Sequence, residues 1–78
     1  MTRRMIRHID DRVLVFDNKL WREAGGDVGD NSQFWKEATI LYVGFTDDVW
    51  RDEIATVRFD HDGRISRGHF TNGMKEIA

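Results

Sequence analysis

Apolar residues along this chain occur in short runs that polar, turn-rich segments separate. Residues 12–17 (RVLVFD) are dense in Val, Leu and Phe, and residues 34–45 (FWKEATILYVGF) are apolar on both alternating faces. Because β-branched and aromatic residues favour strands, both runs predict strands. The second strand either lies in the middle of a sheet or bends so that each half buries a different face, with Gly44 as a bend or bulge.

Residues 54–70 (IATVRFDHDGRISRGHF) predict a hairpin that turns at Asp62 and Gly63. Residues 60–63 (DHDG) fit a type I turn closed by a left-handed glycine, with the Asp60 carboxylate bonding turn amides, and this register sets Phe59 opposite Ile65. A two-residue Asp-Gly turn would set Phe59 opposite Ser66. The sequence leaves both registers open, and a slip of one residue inverts the buried face.

The remaining segments contain turn residues and one short strand. Residues 18–33 hold three glycines and predict a long loop, within which residues 19–24 form a helical turn or a strand. Residues 46–53 are an acidic turn region. Residues 71–74 predict a turn before a last strand over 75–78. Residues 1–11 form a basic segment that frays unless Met5, Ile6 and Ile9 dock as a short helical turn or an extra strand, and the sequence leaves both outcomes open.

Five short strands, one long early loop and a tight late hairpin predict an all-β fold, a small five-stranded, partly open barrel. The barrel is expected to be one domain over residues 12–78. The motif WKEATIL, followed by ATVRF and an Asp-Gly turn, resembles Tudor domains and other SH3-like barrels across these residues. We therefore expect an SH3-like (Tudor-like) barrel.

The Tudor resemblance implies a cage of aromatic rings for methylated lysine or arginine. Trp35, Trp50 and Phe59 are the aromatic candidates, with an acidic neighbour from the 46–53 turn. The chain departs from the family pattern with Asp62 in place of a tyrosine before the turn glycine, and with Arg64 in place of asparagine. These departures favour a core role for Phe59.

Composition excludes several classes of function. The 78 residues suffice for one small domain, and the absence of cysteine excludes disulfides, thiol nucleophiles and thiolate metal sites. His8, His61 and His69 lack the spacing of metal ligands, and no catalytic motif occurs. We therefore expect a non-enzymatic binding module without cofactor or metal.

No secretory signal or membrane-spanning run is visible in the sequence. We therefore expect a soluble cytoplasmic protein with no membrane partner. A further hypothesis, drawn from size alone, is that the chain comes from a phage or another mobile element.

Three tryptophans are many for so small a domain, and tryptophan is enriched where proteins bind partners. The first hypothesis is therefore protein binding through an aromatic patch of Trp21, Trp35 and Trp50, with Asp47 and Asp48 beside it. A homodimer through an exposed strand edge or through the aromatic patch is also open.

The alternative hypothesis is nucleic-acid binding by strand and N-terminal arginines, which the net charge of −2 disfavours. The candidate side chains for this alternative are Arg4, Arg7, Arg58, Arg64 and Arg67.

Overall fold

Four antiparallel strands form one open sheet in the computed structural model, which describes residues 6–26, 29 and 31–77. The strands follow one another across the sheet in chain order, as β1 (Arg12–Phe16), β2 (Trp35–Phe45), β3 (Glu53–Phe59) and β4 (Ile65–Phe70). Within these described residues, helix is confined to α1 (Asn18–Glu23) and two short 3-10 turns, Ser32–Phe34 and Thr71–Gly73. The prediction of an all-β fold is therefore confirmed, and the segment 19–24 is helical rather than a strand.

Strand β2 changes part-way along its length which of its alternate residues point to the core. Ala38 and Ile40 are buried in its first half, whereas Val43 is buried in its second half. A bulge lies between Ile40 and Tyr42, where one extra residue of β2 shifts the pairing with β3. The bend that the sequence predicted is thus present, ahead of Gly44.

The β3–β4 hairpin closes as predicted at Gly63 but pairs differently. Gly63 has φ +72° and donates its N–H to the Phe59 oxygen at 2.8 Å. Near the turn Ile65 faces Arg58, so neither predicted partner of Phe59 is correct. The Asp60 carboxylate was predicted to accept hydrogen bonds from the turn amides, but it accepts them from the Arg12 guanidinium instead.

A second bulge, in β4, restores the first predicted register beyond the turn. Val57 faces Ser66, but Ala55 faces His69, so Arg67 and Gly68 together lie opposite Thr56. Gly68 has φ +78°, a conformation that glycine adopts without steric cost.

The core lies on one face of the curved sheet. Phe59 is fully buried, which removes enough apolar area from water to stabilise the fold by about 1.5–3 kcal/mol. The other buried apolar residues of this cluster are Val13, Val15, Ala38, Ile40, Val43, Ala55, Val57 and Met74.

Both ends of the described chain are tied to the sheet. The buried Glu53 carboxylate accepts the amide N–H groups of Ile6 and Arg7, at 2.7 and 2.9 Å. Leu14 and Lys75 exchange two backbone hydrogen bonds of 2.9 and 3.0 Å, beside β1. Residues 6–11 of the segment expected to fray are therefore anchored, and residues 1–5 lie outside the described part.

Candidate functional site

Two of the three tryptophans, Trp21 and Trp35, pack against Phe16 at the start of β2. The ring centroid of Phe16 lies 6.3 Å from that of Trp21 and 5.5 Å from that of Trp35. The buried Phe34 ring is 6.1 Å from Phe16, and the Lys75 ammonium lies 4.2 Å from the Trp35 ring centroid. Both tryptophans are half-buried in this Phe16 cluster (Phe16, Trp21, Phe34, Trp35), where they stabilise the junction of α1 with the sheet.

Trp50 stands apart, on a turn built around Asp48. The Asp48 Oδ1 atom accepts hydrogen bonds from Thr46 Oγ1 at 2.9 Å, the Trp50 amide at 3.1 Å and the Arg51 amide at 2.9 Å. These bonds, the one from Thr46 first, hold the pKa of Asp48 below its ordinary value. Asp48 therefore fixes the shape of the turn, while Asp47 lies exposed on it.

The turn presents an apolar tip to solvent. Val49 is 90% exposed and Trp50 is 74% exposed. Strand β2 has eleven residues, so Trp50 follows its far end, about 30 Å along the strand from Trp35. The predicted patch of Trp21, Trp35 and Trp50 is therefore divided between two ends of β2.

The aromatic cage implied by the Tudor resemblance is not assembled from the residues named for it. Phe59 has no exposed surface, which confirms its interpretation as a core residue. Trp35 and Trp50 lie at opposite ends of β2.

The face of the sheet that points away from the core carries further exposed rings. Tyr42 is 64% exposed and Phe70 is 54% exposed. Phe70 lies directly opposite Ile54 on the neighbouring strand, and Ile54 in turn lies opposite Gly44. A Cβ at Gly44 would stand 3.3 Å from the Tyr42 ring, so this glycine leaves room for the ring.

These rings and the turn tip lie at the same end of the sheet, since the turn joins Phe45 to Glu53 next to the Gly44–Ile54 pair. We call this set the apolar outer face: Tyr42, Val49, Trp50, Ile54 and Phe70.

The predicted arginines do not share one surface. Arg4 lies outside the described residues. The Arg7 side chain is only 14% exposed and bonds Glu76 at 2.6 Å, whereas Arg58 is exposed between β2 and β4. Arg64 and Arg67 are the members that lie together, in a cleft described next.

The cleft lies between α1 and β4, has a volume of about 420 Å³, and contains the carboxylate of Asp17 in its lining. Asp17 is fully buried, caps α1 at the Leu20 amide (3.3 Å), and lies 2.6 Å from Arg64 and 3.1 Å from His61. Burial raises the pKa of Asp17, but the hydrogen bonds from Arg64, Leu20 and His61 together bring it below its ordinary value.

Positive side chains dominate the lining of this cleft, which we call the cationic cleft. Lys19 and Arg22 project from α1, and Arg64 and Arg67 come from the hairpin. Lys19 forms an ion pair with Glu23 at 3.3 Å. The cleft is thus suited to an anion rather than to an apolar ligand.

His69 contributes a neutral polar group to the same cleft. Its Nε2 atom lies 2.7 Å from Ser66 Oγ, and its ring stands edge-on to Phe59 at 6.1 Å. Burial lowers the pKa of His69; Asp17 raises it by a smaller amount, and Arg64 lowers it further.

Comparison with known proteins gave no match. No protein-family model matches this chain, and neither does any curated protein or solved structure. The function must therefore be argued from the two surfaces themselves.

Two kinds of feature are absent from the described ranges. The described ranges hold no group of three or more His, Asp or Glu side chains arranged to bind a metal ion. No helix within those ranges is long and apolar enough to cross a membrane.

The exposed rings of Tyr42 and Phe70 were not predicted from the sequence as site residues. Neither were the residues of α1 that line the cationic cleft. The bulge after Ile40 turns Tyr42 outward, and no residue pattern marks that bulge. Phe70 could have been found from its pairing with Ile54, which the first predicted register contains. The cleft joins segments far apart in the chain, so local patterns carry no signal for it.

Proposed function

We propose that this chain is a non-enzymatic binding module that binds another protein through the apolar outer face. The observation that carries the proposal is the exposure of its rings, because Trp50, Tyr42 and Phe70 are each more than half exposed. Burying such rings against a partner releases ordered water, and tryptophan and tyrosine are the residues that most often dominate binding energy.

The surroundings of the apolar outer face suit a protein partner. The Asp48 turn fixes the backbone of Trp50, so little backbone entropy is lost when a partner covers the ring. Asp47 provides a charged rim next to the apolar centre, the arrangement typical of interfaces. The proposed partner therefore carries an apolar segment with a basic residue beside it.

We also propose that the domain is an SH3-like, Tudor-like barrel. Support comes from the 3-10 turn Thr71–Gly73 and from Lys75, which bonds back to Leu14 of the first strand. This antiparallel bridge brings the chain after the 3-10 turn alongside β1, as closure of such a barrel requires.

Nucleic-acid binding is the alternative, and it has less support. Arg7 is largely buried and bonds Glu76, and Arg58, opposite Ile65, does not line the cleft that holds Arg64 and Arg67. A nucleic-acid backbone needs a continuous row of cations, which the described arginines do not form.

The test compares two exposed apolar residues at opposite ends of the β3 strand, Trp50 in the turn before it and Ile65 after the hairpin turn. Trp50→Ala removes the centre of the proposed surface, whereas Ile65→Ala removes a 58% exposed side chain at the hairpin end. A protein captured from nuclease-treated lysate should be purified and titrated against both variants. We expect Trp50→Ala to weaken binding by about 30-fold or more, and Ile65→Ala to bind like the unmodified chain.

Two outcomes would contradict protein binding through this face. Equal affinity of both variants would place the contact elsewhere, and capture that disappears with nuclease would favour the arginines. A second copy of the chain as the partner would appear as a dimer by analytical ultracentrifugation, and Trp50→Ala would dissociate it.

A further inference from the structure

Two guanidinium groups on facing walls of the cationic cleft have no counter-charge among the described residues. Arg22 lies on α1 and Arg67 on β4, and both line the cleft. Neither side chain forms an ion pair within the described ranges, although the whole chain carries a net charge of −2. An anion between these two cations would be attracted to both of them.

The carboxylate in the cleft does not serve as that anion. Asp17 is fully buried, its Oδ1 accepts from Arg64 and Leu20, and its Oδ2 lies 3.1 Å from His61. Arg64 is in turn held in place, with its guanidinium carbon 5.0 Å from the centre of the Phe59 ring. Asp17 therefore positions Arg64 as a fixed donor and leaves the outer cations to a ligand.

The cleft also has room and neutral donors for a small anionic group. Asn18 and Ser66 line it beside the cations. A Cβ at Gly68 would meet no atom within 4 Å, so the backbone there is open to close approach by a ligand. The volume of about 420 Å³ lies in the range of small-molecule sites.

We propose that the cationic cleft binds a phosphate monoester, held between Arg22 and Arg67 and oriented by Arg64. A phosphate monoester carries nearly two negative charges at neutral pH, which matches the two cations without a counter-charge. Guanidinium groups bind phosphate oxygens in pairs of parallel hydrogen bonds. A carboxylate or a phosphodiester carries one charge and would neutralise only one of the two arginines. This proposal is independent of protein binding through the apolar outer face.

The experiment is a calorimetric titration of the whole chain with inorganic phosphate, glycerol phosphate, a phosphoserine peptide and a duplex oligonucleotide. We expect saturable one-to-one binding of a phosphate monoester. Arg22→Gln and Arg67→Gln should each weaken binding by about tenfold or more, because each removes charge-assisted hydrogen bonds. Arg58→Gln removes the same charge outside the cleft and should bind like the unmodified chain. Whichever of glycerol phosphate and the phosphoserine peptide binds with higher affinity shows whether the natural ligand is a small phosphate monoester or a phosphorylated protein.

Three outcomes would overturn the proposal. These are the absence of saturable binding at millimolar monoester, an equal loss of affinity in Arg58→Gln, and a duplex bound more tightly than any monoester. Thermal unfolding of each variant checks that loss of binding does not reflect loss of the fold, which is expected to persist because Arg22 and Arg67 are exposed.

Discussion

Asp17 links three parts of the chain through one side chain. Asp17 directly follows the last residue of β1. Its carboxylate caps α1 at the Leu20 amide and pairs with Arg64, which follows the turn of the hairpin. A buried charge is stable only when its partners satisfy it, and the loss of this carboxylate would leave Arg64 with Asp62, 3.2 Å away, as its one remaining ion-pair partner among the described residues.

We predict that Asp17→Asn destabilises the fold by about 2–3 kcal/mol, measured by urea unfolding. The amide keeps a capping oxygen for α1 but removes the charge that compensates Arg64, whose side chain is 25% exposed. Asp60→Asn is the matched control, since Asp60 forms an exposed pair with Arg12 and its loss should change stability little. Equal effects of the two substitutions would contradict this account.

The sequence pattern predicted Asp17 as the end of a strand. Neither its capping of α1 nor its pair with Arg64 was predicted. The capping role has a local signal, an aspartate directly before a helical segment. The pair with Arg64 has none, because 47 residues separate the two. Residues whose neighbours are local, such as Val13 and Val15 in β1, were predictable from the apolar pattern.

The elements show the same division between local and long-range information. Strands β1 and β2 lie within one residue of their predicted bounds, because apolar runs and turn residues mark them. The predicted hairpin register was wrong near the turn, because Arg67 and Gly68 form a bulge that shifts the pairing by one residue. The sequence pattern does not reveal this bulge. A bulge depends on which ladder of hydrogen bonds is most stable overall.

Gly63 is the position where the hairpin depends most on a backbone conformation. We predict that Gly63→Ala lowers the free energy of unfolding by about 1–2 kcal/mol, because φ is +72° and a residue with a Cβ is strained in that conformation. A Cβ there meets no other atom within 4 Å, so the loss would come from the backbone conformation alone. Gly73→Ala is the matched control, in equally open space without a positive φ, and should leave stability unchanged or slightly higher. Equal denaturant midpoints for the two variants would show that the left-handed turn is not the cause.

Charge is unevenly distributed over the whole molecule. The apolar outer face has the acidic turn at its rim, whereas the cationic cleft gathers arginines next to a buried carboxylate and a partly buried histidine. The stability of the whole fold should therefore depend on pH through the cleft.

We predict that the melting temperature falls as the pH drops from about 7.5 to 5.5. Because burial lowers the pKa of His69, the unfolded chain takes up a proton at a higher pH than the folded chain, which favours unfolding below the ordinary histidine pKa. The lowered pKa of Asp17 adds a further loss of stability in more acidic solution, once that carboxylate is protonated. His69→Gln should flatten the curve in the first range, while the exposed His8→Gln should not. Parallel curves for His69→Gln and the unmodified chain would contradict the prediction.

The Glu53 carboxylate that holds Ile6 and Arg7 also sets an order of events during synthesis. It lies 46 to 47 residues further along the chain than the amides that it accepts. A ribosome adds about 5–20 residues per second, so the nascent N-terminal segment waits roughly 2 to 9 seconds for this anchor to be translated. Until β3 is translated, the amides of Ile6 and Arg7 lack this acceptor, so the start of the described chain is anchored only after most of the sheet has been made.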